Sequence, residues 1–119
     1  RLAVFSDLHL EFEPFVPIAT AFDADAVVLA GDIHNGIEAL RWARATFPAM
    51  TIVQIAGNHE YFGAQWQSML AALRREAAAL DIHFLENDAL ELAGVRFLGA
   101  TLWTDFALYE KPGRALSMD

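Results

Sequence analysis

The sequence contains no cysteine. That excludes disulfides and any metal site built on thiolates, and it removes redox chemistry as a clue to the compartment. Basic residues are scarce: 8 Lys and Arg stand against 16 Asp and Glu, for a net charge of −8. A general nucleic-acid binder needs a basic footprint to displace counterions, so that class is excluded. Phosphate-bearing small molecules stay open, because bound dications would invert the charge locally. No apolar run is long enough to span a bilayer. The default expectation is a soluble, cytoplasmic protein. No G-x-G-x-x-G loop follows the first apolar run, which speaks against a dinucleotide-binding domain.

What is present is a series of short apolar runs, each ended by polar residues. Leu2 to Phe5, Ala26 to Ala30, Thr51 to Ala56 and Ile82 to Leu85 read as buried strands. Ile37, Leu40, Ala43 and Phe47 recur at helical spacing, and Pro48 closes that helix. Trp66, Met69, Leu70, Leu73, Ala77 and Leu80 form the clearest amphipathic stripe, with Trp66 placed in the core. Pro14 and Pro17 break the segment after the first strand, leaving Ile18 to Phe22 as a short helix at most. Ala89 to Leu92 and Val95 to Leu98 read as a hairpin turning at Gly94. Continuous apolar strands alternating with helices predict an α/β fold with a parallel sheet covered on both faces.

Three of the runs end alike. Asp7 follows the first strand, Asp32 the second and Asn58 the third, at intervals of 25 and 26 residues. A strand, a crossover and two loops take about 30 residues. The spacing therefore sets Asp7, Asp32 and Asn58 along one sheet edge, where open α/β folds bind ligands. His9 lies two residues past Asp7, near enough to share a point with it. Carboxylates, an amide oxygen and imidazole, without sulfur, suit Mn, Fe or Zn better than soft Cu(I), while the histidine disfavours Ca or Mg.

Asp7-x-His9, Gly31-Asp32 and Gly57-Asn58-His59-Glu60, in that order and each after a buried strand, resemble the first three motifs of the calcineurin-like metallophosphoesterases. The resemblance implies the N-terminal half of a four-layer αββα sandwich and hydrolysis of phosphate esters by a dinuclear centre. It implies that Asp7 and His9 ligate a first metal, that Asp32 bridges two, and that Asn58 ligates the second. His59 is then the catalytic group that contacts the phosphate or protonates the leaving oxygen. Two divalent ions (Mn, Fe or Zn) would supply a metal-bound hydroxide for in-line attack. The expected partner is a phosphate-ester small molecule or nucleotide, with no membrane involved.

The family's later His and closing Gly-His-x-His motif do not occur in this sequence, whose other histidines are His34 and His83. Residues 1–119 are therefore expected to be the N-terminal part of a single metallophosphoesterase domain, inactive alone. The rival reading is a non-catalytic binding module of the same fold. A loop role is expected for His34, a structural one for His83 and a supporting one for Glu60. Trp103 could wall a pocket or pack on the hairpin. Lys111-Pro112-Gly113 reads as a loop, and Ser117-Met118-Asp119 as the start of a helix.

Overall fold

In the computed structural model, which describes residues 1–104, four parallel strands form one sheet and two antiparallel strands a second. The first sheet holds β1 (Leu2–Phe5), β2 (Ala26–Ala30), β3 (Thr51–Ile55) and β4 (His83–Phe84), in the order β1-β2-β3-β4. The second is the hairpin of β5 (Asp88–Leu92) and β6 (Val95–Gly99). Two helices, α1 (Glu38–Thr46) and α2 (Trp66–Ala79), connect β2 to β3 and β3 to β4.

Sequential order has a geometric consequence. Parallel crossovers are right-handed, so connections that all step the same way across a sheet lie on one face. That face carries Ala3, Phe5, Val27, Leu29 and Ile52, and it packs on Ala39, Leu40, Ala43 and Phe47 of the α1 region and on Leu73 and Ala77 of α2. Val27, Leu29, Leu40, Phe47 and Ile52 are fully buried. Arg44, in the last turn of α1, ties the far end of this layer. Its guanidinium donates to the carbonyls of Phe47, Met50, Leu80 and Asp81 at 2.8–3.0 Å. Those of Phe47, Leu80 and Asp81 lie at or just past the C-terminal ends of the two helices, where carbonyls lack helical partners and a cation is favoured.

The opposite face is covered differently from the helical one. The hairpin lies over Val28, Val53 and Ile55, with Phe97 and Gly99 beside them. Gly99 is required there, because a Cβ would come within 2.4 Å of the Leu85 side chain. Toward β1 this cover ends, and Leu2 and Val4 are 50% and 61% exposed. The expectation of a sheet covered on both faces thus holds at β2 and β3 but not at edge strand β1.

Other local readings shift. The connection after β1 holds no α-helix but a 3-10 turn at Ala19–Asp23, after Pro14 and Pro17. The fourth strand shrinks from Ile82–Leu85 to His83–Phe84, because only Val53 and Gln54 of β3 pair with it. Trp66 is not a core residue. As the first residue of α2 it lies a turn outside the packed stripe, 41% exposed, with its ring 6.0 Å from that of Tyr61. The segments at 111–113 and 117–119 lie outside the described residues. Among the described residues no helix is long and apolar enough to cross a membrane.

Candidate metal centre

The C-terminal ends of β1, β2 and β3 lie side by side, and their polar residues meet there. Beyond the strand ends the backbone ladder continues. The N–H of Asp7 donates to the Gly31 carbonyl at 3.0 Å, that of His9 to Asp32 at 3.0 Å, and that of Leu10 to Ile33 at 2.9 Å. The two loops therefore travel together, but not as strands. Asp7, His9 and Asp32 have φ of 57°, 47° and 54°, and Gly31 has 92°. Left-handed backbone is costly for residues with a Cβ and concentrates at functional sites.

Glu60 holds the loops in register. Its side chain is buried, and its carboxylate accepts three backbone N–H groups. Oε2 takes those of Gly57 at 2.8 Å and Asp32 at 3.0 Å, and Oε1 takes that of Ile33 at 2.9 Å. Burial pushes its carboxyl above the ordinary range, while the N–H donors of Ile33, Gly57 and Asp32 pull it back in part. The expected supporting role thus takes a specific form: Glu60 fastens the β2 and β3 loops to each other.

Asp32 is fixed from a second direction, since the N–H of His59 donates to its Oδ1 at 2.9 Å. Gly57 makes the approach possible. A Cβ there would lie 2.2 Å from Asp32 Oδ1 and 2.8 Å from its backbone nitrogen. Ligand atoms of His9, Asp32 and His59 all lie within 4.8 Å of one another. One carboxylate and two imidazoles are a donor set that suits Mn, Fe or Zn. Asp7 stands beside them, its Oδ1 3.7 Å from Nε2 of His9. That separation is too long for a hydrogen bond. Two ligands on one ion at about 2.0–2.2 Å each stand comparably far apart, so the residues present fit a divalent metal.

The sequence-predicted residues divide as follows. His9, Asp32 and His59 come together, with Asp7 alongside. Asn58 is exposed at the start of a 3-10 turn, His59–Tyr61, one residue from His59. His59 stands among the possible ligands, whereas the resemblance gave it a role outside the metal shell. His34 is a loop residue whose Nδ1 accepts the Asn35 N–H at 2.7 Å. Trp103 is half exposed, with its ring 6.0 Å from that of Tyr61.

Glu11 was missed by the sequence reading. Its Oε1 lies 2.7 Å from Nδ1 of His59 and 3.4 Å from Nδ1 of His9. Burial works to raise its pKa, but hydrogen bonds from His59, its own backbone N–H and His9 prevail and hold it below the ordinary carboxylate range. The signal was present as an alternation, Asp7-x-His9-x-Glu11, of three polar residues after a buried strand. Two exposed rings flank the same histidine: Phe62 at 4.2 Å and Phe12 at 6.4 Å between centroids.

No curated protein matches the chain significantly. A solved structure, the phosphopantetheinyl hydrolase PptH from Mycobacterium tuberculosis, superposes with a TM-score of 0.58 over 98% of this chain at 14% identity. The match covers 49% of that structure, so the chain spans about half its length. At that identity the likeness concerns the fold alone: a parallel sheet with helices on one face and a two-stranded sheet against the other. The family model for calcineurin-like phosphoesterases matches residues 1–110, which include every strand-end motif described above, and the chain belongs to that family.

Proposed function

We propose that this chain carries the N-terminal part of the active site of a metal-dependent phosphoesterase. The observation that carries the reading is the meeting of His9, Asp32 and His59 within 4.8 Å at the ends of β1, β2 and β3. Asp7, His9 and Asp32 would hold a first divalent ion, and Asp32 with the amide oxygen of Asn58 would hold a second. When bound, two divalent ions (Mn, Fe or Zn) supply Lewis acidity and a hydroxide nucleophile at neutral pH. The protein's own part is to hold Asp32 through Glu60, Gly57 and the His59 N–H, and to present His59 to the leaving oxygen as an acid. In this reading residues 1–119 are the N-terminal part of one domain, working in a soluble, cytoplasmic setting.

A second reading would be favoured if the full-length protein carried no Gly-His-x-His motif. In that reading the fold is a binding module without turnover. The deciding experiment assays the intact protein on aryl phosphate mono- and diesters with added Mn²⁺, together with a phosphopantetheinyl ester suggested by the neighbour's name. Chelation should abolish the rate, and Asp32→Asn should lower it severely, because the bridge loses its charge. A rate and metal content unchanged in Asp32→Asn would refute the site. Metal binding without turnover on any ester would favour the module.

A further inference from the structure

A single carboxylate oxygen serves both histidines of the site. Glu11 Oε1 is 2.7 Å from Nδ1 of His59 and 3.4 Å from Nδ1 of His9, and the two Nδ1 atoms are 3.2 Å apart. The rings meet edge to face, with centroids 4.3 Å apart. Only 10% of the Glu11 side chain is exposed, and its Oε2 is buried without a hydrogen-bond partner among the described residues. Such an atom costs stability.

The contacts constrain the protons. An ionised carboxylate only accepts, and a neutral imidazole carries its hydrogen on one nitrogen. If Nδ1 of His59 were bare, its lone pair would face Glu11 Oε1 at 2.7 Å. If Nδ1 of His9 were bare, its lone pair would face the same oxygen at 3.4 Å. Hydrogens on both Nδ1 atoms, directed at one shared acceptor, leave no lone pair against that oxygen; the alternative, a bare His9 Nδ1 accepting from the His59 Nδ1–H at 3.2 Å, sets the His9 lone pair against Oε1. The Nε2 edge of His9 then carries its lone pair toward Asp7 Oδ1, 3.7 Å away. Those two electron-rich atoms face a common gap that a cation would fill.

We infer that Glu11 is a positioning residue that fixes both His9 and His59 as Nδ1–H tautomers, turning the Nε2 lone pair of His9 to the metal side and leaving Nε2 of His59 for the substrate. The inference rests on the proposed function for its catalytic meaning, but not for its geometry. Carboxylates behind metal-bound histidines orient the ring and raise its basicity. Behind an acid, they stabilise the charged ring. When the Nε2–H bond of His59 breaks and the proton passes to the leaving oxygen, the ring is left as the Nδ1–H tautomer. That is the form Glu11 already holds, so no second proton has to move.

The test reads the tautomers directly. Long-range ¹H–¹⁵N correlation spectra of the ¹⁵N-labelled, metal-free protein are recorded at about pH 9, above the ordinary imidazole range. Both His9 and His59 should show the Nδ1–H pattern, the less common one in free histidine. Glu11→Ala should return both to mainly Nε2–H, while Glu11→Gln, whose amide oxygen still accepts, should keep Nδ1–H at His59. An Nε2–H pattern at either ring of the unsubstituted protein overturns the inference, whether or not the variants fold. So does a folded Glu11→Ala chain with unchanged tautomers. In turnover, Glu11→Ala should lower kcat on alkyl esters at least about tenfold more than on aryl esters, which leave without a proton, out of the about 10²–10⁴-fold that an acid supplies. Equal losses on both would also overturn it. If no ester is hydrolysed at all, the proposed function fails, and the spectra alone still decide the role of Glu11.

Discussion

Replacing Glu60 with glutamine tests whether the site is held by its backbone clamp. The carboxylate takes two N–H groups on Oε2 and one on Oε1, at 2.8–3.0 Å. Glutamine has one oxygen. Placed where it accepts from Gly57 and Asp32, it turns its NH₂ against the N–H of Ile33, donor against donor. The reverse orientation strands two donors instead of one. A buried unsatisfied N–H costs about 1–3 kcal/mol, and losing the charge from two more bonds costs about 1 kcal/mol each. Removing a buried carboxylate returns part of that, leaving a net loss of about 2–4 kcal/mol. Domains of this kind hold about 5–15 kcal/mol in all, so the shift is easily measured. Urea unfolding followed by tryptophan fluorescence, with chelator present and at low protein concentration, should show a lower midpoint and an unchanged slope. The pH dependence gives the sign. A carboxyl whose folded pKa is raised contributes most below its ordinary range, and that contribution declines as pH rises through the raised value. Glutamine has no such dependence, so the gap between the two proteins should narrow toward neutral pH. A gap below about 0.5 kcal/mol across the pH range would refute the clamp, and one that widens as pH rises would refute the raised pKa but not the clamp.

Three further outcomes follow from the same geometry. Gly57→Ala places a methyl 2.2 Å from Asp32 Oδ1; it should destabilise by about 1–3 kcal/mol and weaken Mn²⁺ binding at least about tenfold, read by calorimetric titration. His59→Ala should keep bound metal and lose about 10²–10⁴-fold in turnover; loss of metal on elemental analysis would instead make His59 a ligand, as its place beside His9 and Asp32 permits. Arg44→Met removes a guanidinium shared by four loop and helix-end carbonyls; it should cost about 2–4 kcal/mol on unfolding without altering metal affinity.

The sheet was legible because parallel strands buried on both faces leave continuous apolar runs, as at Ala26 to Ala30 and Thr51 to Ile55. The placement of Asp7 and Asp32 followed from chain length, since each loop ends a strand in the same direction. Glu11 was not legible as a partner of His59. The two are 48 residues apart and meet only because the β1 and β3 loops converge. Trp66 misled because periodicity marks a face but not how far along a helix the neighbours reach. Glu60 was readable as a loop residue, but its three donors come from two loops, and no spacing rule announces that.

The left-handed turns of the site leave no trace in the glycine code that usually reveals such turns. Glycine is the common residue at positive φ, yet Asp7, His9 and Asp32 occupy that region here. In an extended strand, residues two apart stand about 6.5–7 Å from each other. Left-handed turns at both Asp7 and His9 shorten that path, and the side chains reach within 3.7 Å. A glycine at either position would relax the backbone and remove the ligand. The chain instead accepts about 1–3 kcal/mol of strain at each residue and offsets it with the ladder bonds to Gly31, Asp32 and Ile33 and with the three bonds to Glu60. Ligand geometry and backbone strain are therefore one feature, and the apolar helical layer supplies the stability that lets it persist.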